Sequence, residues 1–298
     1  MKHLLKLEGM PSAAMEEILA SAKVIKAKRG GGEAKPLDGQ TWALIFTKSS
    51  TRTRVSFEVG IRELGGSVMF LNANDMQLGR GEPIKDTARV LGRMVHGAVI
   101  RTFAQADVEE FAEYSGIPTI NALTDDEHPC QILTDIFTFQ ERRGPIRGKV
   151  VTYVGDGGCN VPVSWVHAAA ALDFELRIAA PSEFQPSTET LAKAGGNISC
   201  TEDIRAAVKR ADMVYTDVWV SMGMEAEAEA RLAKLAGYQI NGELMRLAKP
   251  DTLVMHCLPA YRGKEIDAET FEAHADTIFT QAENRLHTQK AILAWLAG

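Results

Sequence analysis

The chain has 298 residues, with 33 Lys plus Arg against 39 Asp plus Glu, for a formal net charge of −6. No block of like charge stands out, which argues against a surface built for nucleic acid or anionic membrane and leaves the basic groups to act locally. The apolar run in Met1 to Gly9 is too short for a signal peptide and nothing later approaches a membrane span, so a cytoplasmic protein is expected. The length exceeds a usual single domain and suits two, each with its own core. The four cysteines, Cys130, Cys159, Cys200 and Cys257, include no Cys-x-x-Cys pair and fit a reducing compartment.

Short β-type runs alternate with helical patterns from end to end, the signature of a parallel α/β architecture. In the first half, strands are expected at Trp42 to Phe46, Ser67 to Leu71, Ala98 to Arg101 and Pro118 to Ala122. Helices are expected at Met15 to Lys28, Thr53 to Leu64, Asp86 to Met94 and Asp107 to Ser115. Ile132 to Arg143, stopped by Gly144-Pro145, reads as a helix bridging two domains. The second half restarts with strands at Lys149 to Val154, Glu175 to Ala179, Met213 to Thr216, Thr252 to His256 and Thr277 to Thr280. Its helices fall near Pro162 to Leu172, Thr188 to Ala194, Asp203 to Arg210, Glu225 to Leu235 and Asn241 to Leu247. A last helix, Asn284 to Leu296, has no strand to feed and is expected to pack back on the first domain. The fold class is therefore α/β: two doubly wound parallel-sheet domains joined by a bridging helix, with a first domain of residues 1–131 plus 284–298 and a second of 132–283.

Five segments carry the chemistry. Ser49-Ser50-Thr51-Arg52-Thr53-Arg54 runs from a strand into a helix, where free backbone N–H groups and the helix dipole favour an anion and the arginine forks fit phosphate oxygens. Taken alone, Ser50 or Thr51 would serve as well as a simple cap. In Asp125-Asp126-Glu127-His128-Pro129-Cys130-Gln131, again past a strand end, His128 can donate to a carbonyl oxygen gaining charge and Gln131 can hold an amide. A metal at His128 and Cys130 would need further ligands at suitable spacing, and the sequence offers none. Gly155-Asp156-Gly157-Gly158-Cys159-Asn160 imitates a dinucleotide fingerprint but breaks its spacing at Val161-Pro162, which disfavours a nucleotide-binding dehydrogenase; Asn160 can bind a carboxylate or amine, or shape a turn. In Asp217-Val218-Trp219-Val220-Ser221-Met222-Gly223 a carboxylate for an ammonium stands beside Ser221, which suits a zwitterionic amino acid and would equally suit a capped turn. Met255-His256-Cys257-Leu258-Pro259 offers a thiol with no legible base in sequence, and Glu283-Asn284-Arg285 opens the last helix.

Taken together, Ser50-Thr51-Arg52-Thr53-Arg54, Gln77-Leu78-Gly79-Arg80-Gly81-Glu82, His128-Pro129-Cys130-Gln131, Asp217 to Gly223, His256-Cys257-Leu258-Pro259 and Glu283-Asn284-Arg285 resemble, in order and over essentially the whole chain, the aspartate/ornithine carbamoyltransferase family. Cys130, Ser221-Met222-Gly223 and His256-Cys257-Leu258-Pro259 are similar to its ornithine branch. The resemblance implies carbamoyl transfer from carbamoyl phosphate to the side-chain amine of ornithine, in arginine biosynthesis or its catabolic reverse, without metal or organic cofactor, in a homotrimer. It implies that Ser50, Thr51, Arg52, Thr53 and Arg101 bind the phosphate with Gln77 of a neighbouring subunit. His128, Pro129, Cys130, Gln131, Cys257, Leu258 and Arg285 would surround the carbamoyl group, Asn160, Asp217, Ser221 and Met222 would hold ornithine, and Arg52, Arg101, His128 and Cys257 would be catalytic. An acceptor such as putrescine or a modified ornithine would share the phosphate site without needing the Asp217 and Ser221-Met222 pair. Thr47 and Gly158-Cys159 depart from the family pattern and touch acceptor preference more than the reaction.

Overall fold

The computed structural model describes residues 1–32, 34–72, 76, 81–221 and 223–298. The chain forms two compact units, one of Met1–Phe137 with Asn284–Gly298 and one of Thr138–Glu283. Each unit is built on a parallel sheet. The sequence places the domain boundary at the start of the bridging helix, whereas the compact units divide within it.

The first unit contains helix α1 (Ser12–Ala27), strand β1 (Thr41–Phe46), α2 (Thr51–Glu63), β2 (Ser67–Asn72), α3 (Ile84–Leu91), β3 (Gly97–Arg101), α4 (Gln105–Ser115), β4 (Thr119–Leu123) and the first part of α5 (Pro129–Arg143). Its strands run parallel in the order β2-β1-β3-β4. The chain thus winds outward from β1 to β2, then jumps back to β3. In such a sheet the crevice beyond the carboxyl ends of the strands flanking the reversal is the natural ligand position. Those ends are Phe46, which leads to Ser50, and Arg101.

In the register of the β1–β3 pair, Trp42 stands opposite Gly97, and the Trp42 indole is fully buried. A Cβ on Gly97 would lie 2.6 Å from ring atoms of Trp42, a distance that side chains do not adopt. Gly97→Ala is therefore expected to destabilise the protein by about 1–3 kcal/mol through overpacking. Urea denaturation checks this: an unchanged midpoint would mean that the indole can move aside.

The second unit takes over along α5 and continues with β5 (Val150–Val154), α6 (Asn160–Leu172), β6 (Glu175–Ala179), α7 (Thr188–Ala194), β7 (Ile198–Thr201), α8 (Ile204–Val208), β8 (Met213–Thr216), α9 (Ala228–Leu235), α10 (Gly242–Met245), β9 (Leu253–His256), α11 (Ala268–Ala273) and α12 (Ala275–Ala297). The sheet order is β7-β6-β5-β8-β9, all parallel, with the reversal between β5 and β8. Beyond those two strand ends lie the Gly155 to Asn160 loop and Asp217, and the next strand over ends at His256.

One expected strand is corrected. Thr277 to Thr280 is helical, inside the single helix α12, and the fifth strand of the sheet is β7 instead. A run of four residues, three β-branched and one aromatic, does not distinguish the two states by periodicity, and length decides. Within it Ile278 is fully buried and Phe279 is 55% exposed, as one face of a helix requires. The end of α12 belongs to the first unit, where α2 receives it. Lys290, wholly buried, donates to Glu63 at 2.7 Å, Arg29 pairs with the same carboxylate at 2.9 Å, and Gly60 leaves room for the Lys290 stem. Among the described residues, no helix is long and apolar enough to cross a membrane.

Candidate active site

In the first unit, α2 begins where the sequence places it. Ser50 is extended, and its hydroxyl accepts the Thr53 N–H at 3.3 Å, so it is a true cap. The cap uses one of the first-turn amides and leaves others with no intrahelical partner. Thr51 and Arg52 are exposed at this turn, while Thr53 is buried and its hydroxyl accepts from Arg285 Nη2 at 2.5 Å. Arg54 has a different job: its guanidinium lies 3.8 Å from the centre of the Phe70 ring and 3.5 Å from Glu58. A cavity of about 450 Å³ opens beside the turn, lined by Lys48, Ser49, Ser50, Thr51, Arg54 and Asn72 among others.

Arg101, at the end of β3, is buried, and its carbonyl accepts the Thr47 N–H at 2.9 Å, which ties that strand end to the loop entering α2. His128 is buried as well. Burial, then the charges of Arg285 and Arg101, hold its imidazole well below the usual histidine range, so it is neutral at pH 7. A neutral imidazole can donate to a carbonyl oxygen without adding a third cation to the pocket. Pro129 opens α5; Cys130 follows with its thiol pushed up to about 12 by burial and turned to the Asn121 carbonyl at 3.4 Å, a packing role rather than a nucleophilic one. Gln131 Nε2 donates to Asp135 at 2.8 Å. Ser50, Thr53, Arg101, His128, Cys130, Gln131 and Arg285 all belong to this one unit. Gln77 lies outside the described residues.

Sequence reasoning overlooked Lys48. Its side chain is buried, pairs with Asp125 and sits 4.2 Å from the centre of the Phe103 ring, joining the loop before α2 to the loop before His128. The signal available was a lysine two residues ahead of a phosphate-type turn.

In the second unit, Asp217 follows β8 and is 8% exposed. Its Oδ1 accepts the Val218 N–H at 2.7 Å and the Cys257 thiol at 2.9 Å. Burial pushes its carboxyl up, with His256 the largest opposing influence. A second carboxylate, Glu265, supports the base of this cluster: it meets His256 Nε2 at 3.1 Å and accepts the Tyr261 N–H at 2.6 Å, while His256 Nδ1 accepts from Leu258 N–H at 2.8 Å. Leu258 has φ 61 and precedes a cis peptide bond to Pro259. Among the described residues, donor atoms of Asp217, His256 and Cys257 lie within 4.8 Å of one another, close enough to hold a metal ion. Both His256 nitrogens are already engaged, so an ion would have to displace Glu265 or the Leu258 amide. Asn160 starts α6 and Ser221 is half-buried; Met222 lies outside the described residues.

Arg231, on α9, is another residue that the sequence does not reveal. It is 8% exposed, pairs with buried Asp156 and donates Nε to the Trp219 carbonyl at 3.0 Å, linking the loop that leads to Asn160 with the loop that follows Asp217. Burial pushes the Asp156 carboxyl up against the pull of Arg231, so the pair costs desolvation and holds geometry. Arg231→Met alone is expected to cost about 3–5 kcal/mol by leaving the carboxylate buried without its cation. Adding Asp156→Leu should recover most of that loss; urea melts of both variants check it, and equal losses would refute the coupling.

The full length is similar to known proteins. Residues 2–141 match the family model described as aspartate/ornithine carbamoyltransferase, carbamoyl-P binding domain, and residues 147–296 match its Asp/Orn binding domain. An ornithine carbamoyltransferase of Akkermansia muciniphila is 54% identical over 100% of this chain and 98% of its own length. One from Methylococcus capsulatus is 50% identical over 99% of this chain and 98% of its own. The solved ornithine carbamoyltransferase of Pyrococcus furiosus superposes with a TM-score of 0.92 at 44% identity, covering 100% of this chain and 97% of that one. With both family models in chain order and relatives of this identity along the whole length, the chain belongs to the aspartate/ornithine carbamoyltransferase family.

Proposed function

We propose that this protein transfers the carbamoyl group of carbamoyl phosphate to the side-chain amine of L-ornithine, giving L-citrulline and phosphate. The observation that carries the reading is the capped start of α2, with the Arg285 guanidinium on Thr53 and a neutral His128 in the same unit. A dianionic ester suits that turn. Thr51 and Arg52 take phosphate oxygens together with Arg101, and His128 donates to the carbamoyl oxygen as Gln131 holds the amide end. Gln77 of a neighbouring subunit completes the phosphate site in a homotrimer.

In the second unit, Asp217 and Ser221 with Met222 bind the acceptor's ammonium and carboxylate, and Asn160 fixes its register. A free alkylammonium is protonated at pH 7, so the acceptor must shed a proton before it can react. The polarisable Cys257 thiol and Leu258 line the place of the reacting amine. Its lone pair attacks the carbamoyl carbon, the new C–N bond forms, the C–O bond to phosphorus breaks, and phosphate leaves with the electron pair on oxygen and takes up the amine's proton. Nothing in this sequence of steps needs a metal or organic cofactor. The first unit is the carbamoyl-phosphate domain and the second the ornithine domain, with the boundary early in α5, and the protein works in the cytoplasm.

Purified protein given carbamoyl phosphate and, separately, ornithine, putrescine, lysine and N-acetylornithine tests the reading by release of phosphate and formation of ureido product. Ornithine is expected to be the preferred acceptor. Preference for putrescine would show that Asp217 and Ser221 do not read the α-amino acid group. Light scattering at the same concentration is expected to return three times the chain mass.

A further inference from the structure

The loop that ends in His128 is braced from behind by the N-terminal segment. Leu4 lies along β4, donating to the Thr119 carbonyl at 3.0 Å and accepting the Asn121 N–H at 2.7 Å. The Leu5 carbonyl accepts from Asn121 Nδ2 at 2.8 Å and Gln105 Nε2 at 3.1 Å. The chain then reverses at Leu7 to Met10, a turn closed by Met10 N–H to Leu7 O at 3.0 Å with Gly9 at φ 73. Glu127 meets this turn. Its Oε2 accepts the Leu7 N–H at 2.7 Å and its Oε1 the Glu8 N–H at 3.2 Å. On the other side its backbone closes a ring with Thr124, whose N–H donates to the Glu127 carbonyl at 2.9 Å and whose hydroxyl accepts the Glu127 N–H at 3.1 Å.

Glu127 is 4% exposed and precedes His128 directly. Carboxylates are seldom buried so fully without a reason beyond packing. We propose that Glu127 is a positioning residue for His128: by gripping the Leu7–Met10 turn with both oxygens it fixes the loop that presents the imidazole, and protonation releases one grip and slows carbamoyl transfer. The proposal rests on the role given to His128 above. A neutral carboxyl turns one oxygen into a hydroxyl whose hydrogen crowds the amide donor facing it, so only one of the two contacts survives intact.

Burial pushes the Glu127 carboxyl up to about 7, against the two backbone N–H groups that favour its charge. The charges around it come from three elements. Glu8 raises it further and Lys6 lowers it, both from the N-terminal segment; Lys6 is itself shared between Glu8 at 3.1 Å and Glu109 of α4 at 3.5 Å. On its own loop stand Asp125, paired with Lys48, Asp126 and the neutral His128. The switch is therefore expected near pH 7.

The test compares kcat/KM for carbamoyl phosphate, at saturating ornithine, between wild type and Glu127→Gln from pH 6 to 9. Titration of the acceptor amine affects both proteins alike and cancels in their ratio. The ratio of wild type to variant is expected to be about tenfold at pH 8.5 and near one at pH 6, with a midpoint near 7, since one charge-assisted hydrogen bond separates the two forms. A ratio independent of pH would overturn the proposal, because a purely structural residue lowers activity equally throughout. Should the Gln variant fail to fold, Glu8→Pro is compared with Glu8→Gln instead. Proline suits the second position of a turn whose third position is glycine with positive φ; both variants lose the Glu8 charge, and only the proline also removes the amide donor facing Oε1. The acid midpoint of Glu8→Pro should lie above that of Glu8→Gln, and equal midpoints would overturn the proposal. If wild type made no citrulline at any pH, the reading of the reaction would fall on its own. Hydrogen exchange at the Leu7 and Glu8 amides would still decide the clasp: their protection, relative to Glu127→Gln, is expected to drop below pH 7, and a constant relative protection would refute it.

Discussion

Arg52→Ala is expected to lower kcat by about a hundredfold to a thousandfold while leaving the urea-unfolding midpoint within error of wild type, the usual size of effect when one preorganised donor to a developing charge is removed. Arg52 is exposed at the second residue of α2, and among the described residues its side chain makes no ion pair or ring contact, so a loss of rate without loss of stability is the expected combination. Its neighbour Arg54 supplies the control. With its guanidinium on the Phe70 ring and beside Glu58, Arg54→Ala should be felt in packing around β2 more than in the chemical step. Equal kinetic losses in the two variants would mean that the positive charge of this turn matters only in bulk, and the directed role of Arg52 would be lost. Steady-state kinetics with phosphate detection distinguish these outcomes.

Asp217→Asn is the second large effect. The asparagine keeps the shape and can still accept from the Val218 N–H and the Cys257 thiol, but it no longer offers a charge to an ammonium. Truncating or neutralising one partner of a desolvated charge pair costs about 2–5 kcal/mol of binding, so kcat/KM for ornithine should fall by at least thirtyfold while KM for carbamoyl phosphate stays within a factor of about two. The split between the two substrates is the informative part. An equal rise in both KM values would show that the substitution had disturbed the fold around β8 instead of the acceptor site.

The elements most legible in the sequence were those bounded by strong punctuation. Glu175–Ala179, Met213–Thr216 and Thr188–Ala194 fall on the expected residues, each flanked by a cap or turn former such as Asp173, Arg210-Ala211-Asp212 or Ser187. Strand β7 went unread because Ile198-Ser199-Cys200-Thr201 is an edge strand with one large apolar residue and little burial, which leaves almost no hydrophobic pattern. α8 is shorter than expected since Lys209 leaves helical geometry and Arg210 takes φ 59. α11 has six residues, too few for periodicity to show.

The site divides along the same line. Ser50 to Thr53, His128, Asp217 and Cys257 were readable because each follows a strand end and bears a side chain whose chemistry is evident by itself. Lys48, Glu127, Arg231 and Glu265 draw their importance from partners distant in sequence: Arg231 meets Asp156 across 75 positions and Glu127 meets Leu7 across 120. Such residues become visible only once the sheet order brings their loops together. The Cys130 thiol illustrates the converse, since a motif residue that the resemblance sets around the carbamoyl group lies buried in the core with its pKa pushed up to about 12.

The central claim is that a phosphate dianion lodges at the first turn of α2. A crystal structure with a phosphonate analogue that joins the carbamoyl phosphate and ornithine parts in one molecule measures this directly. The phosphonate is expected within hydrogen-bond distance of the Thr51 and Arg52 backbone amides, which the Ser50 cap leaves free, and of the Arg52 and Arg101 side chains. A phosphonate bound elsewhere, or none bound at millimolar concentration with the protein folded, would contradict it.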